Sequence, residues 1–302
     1  MRERKGHLMA GRGRRLKVSG SGVRTACAAL AALGVVAACV PHVPLADFRG
    51  SLAANEELVT VESRKGVTTR VLVTKPASAP KGLFLHFPGG EGLLVNASGG
   101  VYGGFRRELA GTGYVVGVVD VPSDQSRGLE GLNGYLELFR VSADHTRDGR
   151  AVLDALHLRW PMPVYLMGHS MGAISAAHLA ASLGDRRLAG LVLLGSPTER
   201  GPQASWVSVP SANLHRITVP VVLAHHRDDG CRGSTFASAS RYPKLFSASP
   251  RVGFIEVIGG PPPQSPNPCV GGNYHSFAGI RRQVMDAVVR WLGGEDVRRV
   301  GD

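Results

Sequence analysis

The sequence predicts an α/β domain, a mostly parallel sheet of about eight strands flanked by helices with no large cap domain. Short apolar runs alternate with helical patterns, which is the order produced when helices wrap a parallel sheet. At 302 residues, with 43% hydrophobic and 19% charged, the chain is long and apolar enough to bury one full core. Between the apolar run ending near Leu194 and the one starting near Val221 lie too few residues to fold as a cap of their own. The site is therefore expected to be open, with Trp206 as a possible wall.

Glu57 to Glu62 and Thr68 to Thr74 read as an antiparallel entry hairpin around Lys65-Gly66, and Leu83 to Phe87 as a short buried strand before a Gly-rich loop. A helix is expected over Phe105 to Thr112, then a strand over Tyr114 to Val119. Val141 to Leu158 is an amphipathic helix with Val141, Ala151, Val152, Ala155 and Leu156 inward. Val164 to Met167 is the next strand, and Met171 to Leu183 a helix of small residues that packs close to the sheet. Strands follow at Leu191 to Leu194, Val221 to Ala224 and Phe254 to Ile258, and a last helix at Phe277 to Leu292. Pro161, Pro163 and Pro220 stand just before strands, where the missing amide donor costs little.

The formal charge of +12 is unevenly spread, since residues 1–38 carry eight basic side chains against Glu3 and leave only about +5 for the rest. No long basic run remains, which argues against a nucleic-acid partner. Residues 1–38 have the plan of a signal peptide: a basic stretch, an apolar stretch from Ala26 to Ala38, and a small-residue site. The apolar stretch is shorter than the roughly 20 residues of a transmembrane helix. Val36-Ala37-Ala38-Cys39 resembles a bacterial lipobox, which implies export, a lipid on Cys39 and attachment to a membrane. Val40 rather than an acid follows, which for a Gram-negative lipoprotein implies the outer membrane, facing the periplasm. An ordinary signal peptide is the alternative, and Met9 is a second candidate start. Residues 39–54 then form a lipidated linker and residues 55–302 the folded domain. Only Cys231 and Cys269 remain in that domain, an even number in an oxidising compartment, and are expected to pair.

The strongest signal is Gly168-His169-Ser170-Met171-Gly172, a G-x-S-x-G set between a strand and a helix. The flanking glycines permit a tight turn that lifts the serine hydroxyl above the sheet. These residues resemble the nucleophile elbow of the α/β-hydrolase family, and the order of elements resembles that family over nearly all of residues 55–302. The resemblance implies a nucleophile, an acid and a histidine in that order, because a serine hydroxyl needs a base to take its proton and an acid to orient the base. Ser170 is the implied nucleophile and His275, between the last strand and last helix, the implied base. For the acid, His225-His226-Arg227-Asp228-Asp229 resembles the family's His-Gly-x-x-Asp, which favours Asp229, although His226 stands where glycine is usual and keeps Asp228 open. Glu199 is a remote third choice, His169 is expected to pack beside the site, and His86 to orient the loop after its strand.

Met171 is the implied first oxyanion donor through its amide. His86-Phe87-Pro88-Gly89-Gly90-Glu91-Gly92 resembles a His-Gly-Gly oxyanion loop with Phe-Pro inserted, leaving the second donor open between the amides of Gly90 and Glu91. No phosphate-binding loop, His-Glu-x-x-His or paired Cys-x-x-Cys is present, so neither metal nor cofactor is expected. The implied activity is hydrolysis of a small-molecule carboxylic ester or related acyl substrate through a covalent acyl-enzyme. Peptidase or thioesterase chemistry on the same residues, and a catalytically silent lipid-anchored binding module, are the alternatives.

Overall fold

The computed structural model describes residues 52–90, 92–94, 105–125, 138–199 and 207–301. The signal segment, Cys39, Glu91 and Trp206 lie outside the described residues, as does most of the linker. Strand β1 (Glu56–Arg64) and strand β2 (Val67–Thr74) form the expected antiparallel hairpin, with Gly66 at φ 72° in its turn. Strand β2 pairs antiparallel with β4 (Val115–Val119), and from β4 onward every pairing is parallel. Strands β3 (Leu83–Phe87), β5 (Val164–His169), β6 (Leu188–Leu194), β7 (Val221–His226), β8 (Val252–Val257) and β9 (Arg299–Val300) complete the sheet. The order across it is β1-β2-β4-β3-β5-β6-β7-β8-β9.

Helices α1 (Arg106–Gly111), α2 (Ala143–Arg159), α3 (Gly172–Leu183), α4 (Phe236–Ala239) and α5 (Arg281–Leu292) follow in chain order. Side chains alternate between the two sheet faces, so the central strands feed two separate cores. Leu85, Leu166, Leu191 and Leu193 pack with Val152, Leu153 and Leu156 of α2 and with Ile174 and Leu179 of α3. Their neighbours Phe84, Met167, Val192 and Leu194 pack on the other face with Leu109 of α1 and with Val284, Met285, Val288 and Trp291 of α5. Helix α2 is held at its start by Ser142, whose Oγ accepts the His145 amide at 3.1 Å.

The sheet is the mostly parallel one expected, at nine strands for an expected eight or so, the two-residue β9 adding to the β8 edge. Some element boundaries need correction. Helix α5 starts at Arg281 rather than Phe277, because Phe277 and Gly279 take left-handed φ values of 51° and 76° that no helix continues through. Strands β5 and β7 run on to His169 and His226, carrying polar residues to their carboxyl ends. The loops beyond β3, β5, β6, β7 and β8 therefore gather at one end of the parallel sheet, where open α/β sheets hold their ligands.

Candidate active site

Ser170 follows directly on β5 and takes φ 50°, one of two described residues other than glycine with positive φ. Such a conformation is costly for a side chain that bears a Cβ, so the surroundings must impose it. A side chain at Gly172 would run into the carbonyl oxygens of Phe87 and Pro88, and one at Gly168 into the backbone of Gly172 and Ala173. The Ser170 amide donates to the Leu194 carbonyl at 2.9 Å, tying the elbow to the end of β6, while the Ser170 carbonyl accepts from Ala173 at 2.9 Å. Met171 is the N-cap of α3, so its amide lies at the positive end of a helix dipole.

From the other side, the loops after β7 and β8 bring Asp229 and His275 together. His275 Nδ1 donates to Asp229 Oδ2 at 2.7 Å, with both side chains wholly buried. The other carboxylate oxygen, Oδ1, accepts the Cys231 amide at 2.9 Å. His275 Nε2 is buried without a hydrogen-bond partner among the described residues, Ser170 Oγ included. With Nδ1–H committed to the carboxylate, Nε2 of a neutral ring is left as an acceptor. His275 borders the elbow: its carbonyl accepts from His169 Nε2 at 2.8 Å, and a Cβ on Gly195, next to Leu194, would stand 3.4 Å from its Nδ1.

The rival acids lie elsewhere. Asp228 is exposed and its amide donates to His226 Nδ1 at 3.0 Å, while Glu199 is exposed and accepts from Thr235 Oγ1 at 2.7 Å.

Two contacts hold the acid loop to the histidine loop, and a third, at Asn273, ties the histidine loop to itself. Cys231 and Cys269 form a disulfide across 38 residues of sequence, as their parity predicts. His226 stacks on Tyr274 with ring centroids 4.2 Å apart and donates from Nε2 to the Gly259 carbonyl at 2.8 Å. Asn273, buried two residues before His275, accepts the Gln264 amide at 2.8 Å and donates to the Asn267 carbonyl at 2.6 Å. Sequence reasoning missed the last two. The histidine in place of glycine at 226 was the one available signal, because a ring needs a partner that a glycine does not.

The loop after β3 lies directly on the elbow, since a Cβ on Gly89 would come 2.9 Å from Ser170 Cβ. Gly90 at φ 56° opens a turn closed by the Gly92 amide donating to the Gly89 carbonyl at 3.0 Å. A small cavity of about 30 Å³, open to solvent, borders this loop at Pro88 and Gly92 and reaches Phe139 and His145; Ser170, Asp229 and His275 do not line it. Three other histidines surround the site, each kept neutral by burial. Loss of solvation pushes His86 and His225 down to about 4 and holds His169 well below the ordinary histidine value. His169 packs between Phe105, Phe277 and His275, and His225 Nε2 accepts the Ser196 amide at 3.0 Å.

No protein-family model and no curated protein sequence matches the chain. Solved structures do. An alpha-beta serine hydrolase homologue from Coxiella burnetii matches at TM-score 0.53 and 17% identity, over 80% of this chain and 98% of that one. Dienelactone hydrolase from Anabaena variabilis matches at TM-score 0.52 and 15% identity, over 79% and 96% of the two chains. A cold-adapted esterase from an Arctic intertidal metagenomic library matches at TM-score 0.51 and 19% identity, over 76% and 92%. At such identities the likeness is one of fold, and the chain has the α/β-hydrolase fold.

Proposed function

We propose that the protein is a serine hydrolase acting on a small-molecule carboxylic ester, with Ser170 as nucleophile, His275 as base and Asp229 as acid. The carrying observation is the buried Asp229–His275 pair, 2.7 Å apart, whose second ring nitrogen has no partner among the described residues, packed against an elbow that holds Ser170 at φ 50°. Ser170 Oγ attacks the ester carbonyl carbon while His275 Nε2 takes its proton, and the imidazolium then returns that proton to the departing alkoxide. Asp229 keeps the ring in the Nδ1–H tautomer and balances the charge that forms. The oxyanion is held by the Met171 amide and by an amide of the Gly90–Glu91 segment. Water, deprotonated by the same histidine, attacks the acyl-enzyme and frees the serine. An ester substrate is further supported by the structural likeness to an esterase and a dienelactone hydrolase. The lipobox at Cys39 supports a lipid-anchored protein exported to the outer membrane, facing the periplasm.

The test uses the chain starting after Cys39 with p-nitrophenyl esters of increasing acyl length and a fluorophosphonate probe. Turnover and labelling are expected, and both should vanish in Ser170→Ala. Buffer-level rates across the series with no labelling would overturn the reading. Separately, Cys39→Ser should release the full chain from the membrane fraction of an expressing bacterium, and unchanged fractionation would refute the anchor.

A further inference from the structure

Arg140 stands just before α2, far in sequence from every residue assigned above, and only 4% of it is exposed. Burying a guanidinium demands strong partners, and two of them lie on opposite sides of the site. Its Nη2 donates to the Gly90 carbonyl at 2.9 Å and its Nη1 donates to Ser175 Oγ at 2.8 Å. Gly90 belongs to the turn that rests on Ser170, whereas Ser175 sits on the buried face of α3, the helix that Met171 caps. Gly92 makes room for the bridge, because a Cβ there would come 2.8 Å from Arg140 Nη2.

We infer that Arg140 is a positioning residue for the oxyanion loop, one guanidinium bracing the turn after β3 against the helix behind the nucleophile elbow. Pinning the Gly90 carbonyl fixes the plane of its planar peptide, and with it the turn that rests on Ser170. The grip on Ser175 sets the distance between this peptide and the start of α3, and so the spacing of the two oxyanion donors. Such donors work only when held where negative charge develops, and small misplacements cost turnover more than binding. The planar fork of arginine reaches two acceptors at fixed separation, which a lysine ammonium cannot reproduce.

This inference rests on the serine-hydrolase reading, and the experiment separates the two. In Arg140→Met, kcat for a p-nitrophenyl ester should fall roughly 10- to 100-fold with KM within about threefold, and Arg140→Lys should recover part of it. The pH–rate midpoints should stay at the wild-type values, because the acid–base pair is untouched. Hydrogen exchange across residues 88–94 should speed up at least about tenfold in Arg140→Met, whether or not the protein has activity. Wild-type turnover, a change confined to KM, or unchanged exchange in the folded variant would overturn the brace. Should Arg140→Met fail to fold, Ser175→Ala and Gly92→Ala remove one acceptor and crowd the guanidinium; wild-type kcat in both would likewise overturn it. A wild-type protein that labels no better than Ser170→Ala instead defeats the serine-hydrolase reading, and the exchange result alone then decides the brace.

Discussion

The buried histidines make stability sensitive to mild acid, and the size of the effect follows from where their rings sit. His86 and His225 are each at most 1% exposed and are held at about 4, burial being the main cause. In the unfolded chain each returns to about 6.5. The sign is fixed by which state takes the proton: a histidine depressed on folding binds it first in the unfolded chain, so stability is full above about pH 6.5 and falls with acid until about pH 4. At pH 5 each ring should cost about 2 kcal/mol relative to pH 7.5, or about 4 kcal/mol for the pair if they act independently. His145 and His169 are shifted the same way by burial and add to the slope. Of the carboxylates, Asp185, held near 2 by its hydrogen bond from Arg187, loses its contribution only below about pH 4, while Asp120, pushed up by burial, acts in the opposite sense to the histidines.

The assay is urea unfolding followed by circular dichroism at pH 7.5, 6 and 5. For a domain of this size about 4 kcal/mol also corresponds to a fall in Tm of roughly 8 to 16 °C. His225→Gln isolates one ring, because the glutamine carbonyl can accept the Ser196 amide in place of Nε2 and does not titrate. That variant should lose about 2 kcal/mol of the pH 7.5-to-5 difference. A difference below about 0.5 kcal/mol in the wild type, or the full slope in His225→Gln, would refute the reasoning.

Other perturbations test the geometry of the site directly. Asp229→Asn should leave the fold intact and lower kcat roughly 10³- to 10⁴-fold by favouring the wrong tautomer of His275, whereas Asp228→Asn should stay within about twofold of wild type in the same ester assay. Replacing Cys231 and Cys269 by serine should cost about 4 kcal/mol for a loop of 38 residues, read by urea titration, and intact-mass analysis should find neither cysteine alkylatable before reduction. Gly89→Ala should slow fluorophosphonate labelling at least about tenfold, because its methyl would stand 2.9 Å from Ser170 Cβ. Wild-type labelling there would show that the loop yields.

The elbow was legible because its chemistry needs glycines at fixed positions, and those glycines sit where a Cβ would strike Phe87, Pro88 or the helix behind. The parallel strands were legible because burial on both faces forces apolar runs. What escaped were contacts between loops distant in sequence. Nothing in the pattern around Tyr274 announces a stack on His226, and Arg140 looks like any polar residue preceding a helix until Gly90 and Ser175 converge on it. Helix α5 was overextended for the same reason: composition favours helix through Phe277, but Phe277 must turn into the core between Phe105 and His169.

Among the crowd of imidazoles, family order singled out His275, and the contacts give a physical reason that counting could not. His226 is engaged at both nitrogens, accepting the Asp228 amide and donating to the Gly259 carbonyl. His169 spends Nε2 on the His275 carbonyl in an aromatic setting. His225 accepts a backbone N–H at Nε2, so a protonated His225 would aim a second donor at the Ser196 amide and break that bond. His275 differs in its contacts: Nδ1 faces a carboxylate whose other oxygen is held by a backbone amide, and Nε2 has no partner among the described residues. If Ser170 gives up its proton in this site, the ring able to carry it is the one the disulfide and the Tyr274 stack hold in register.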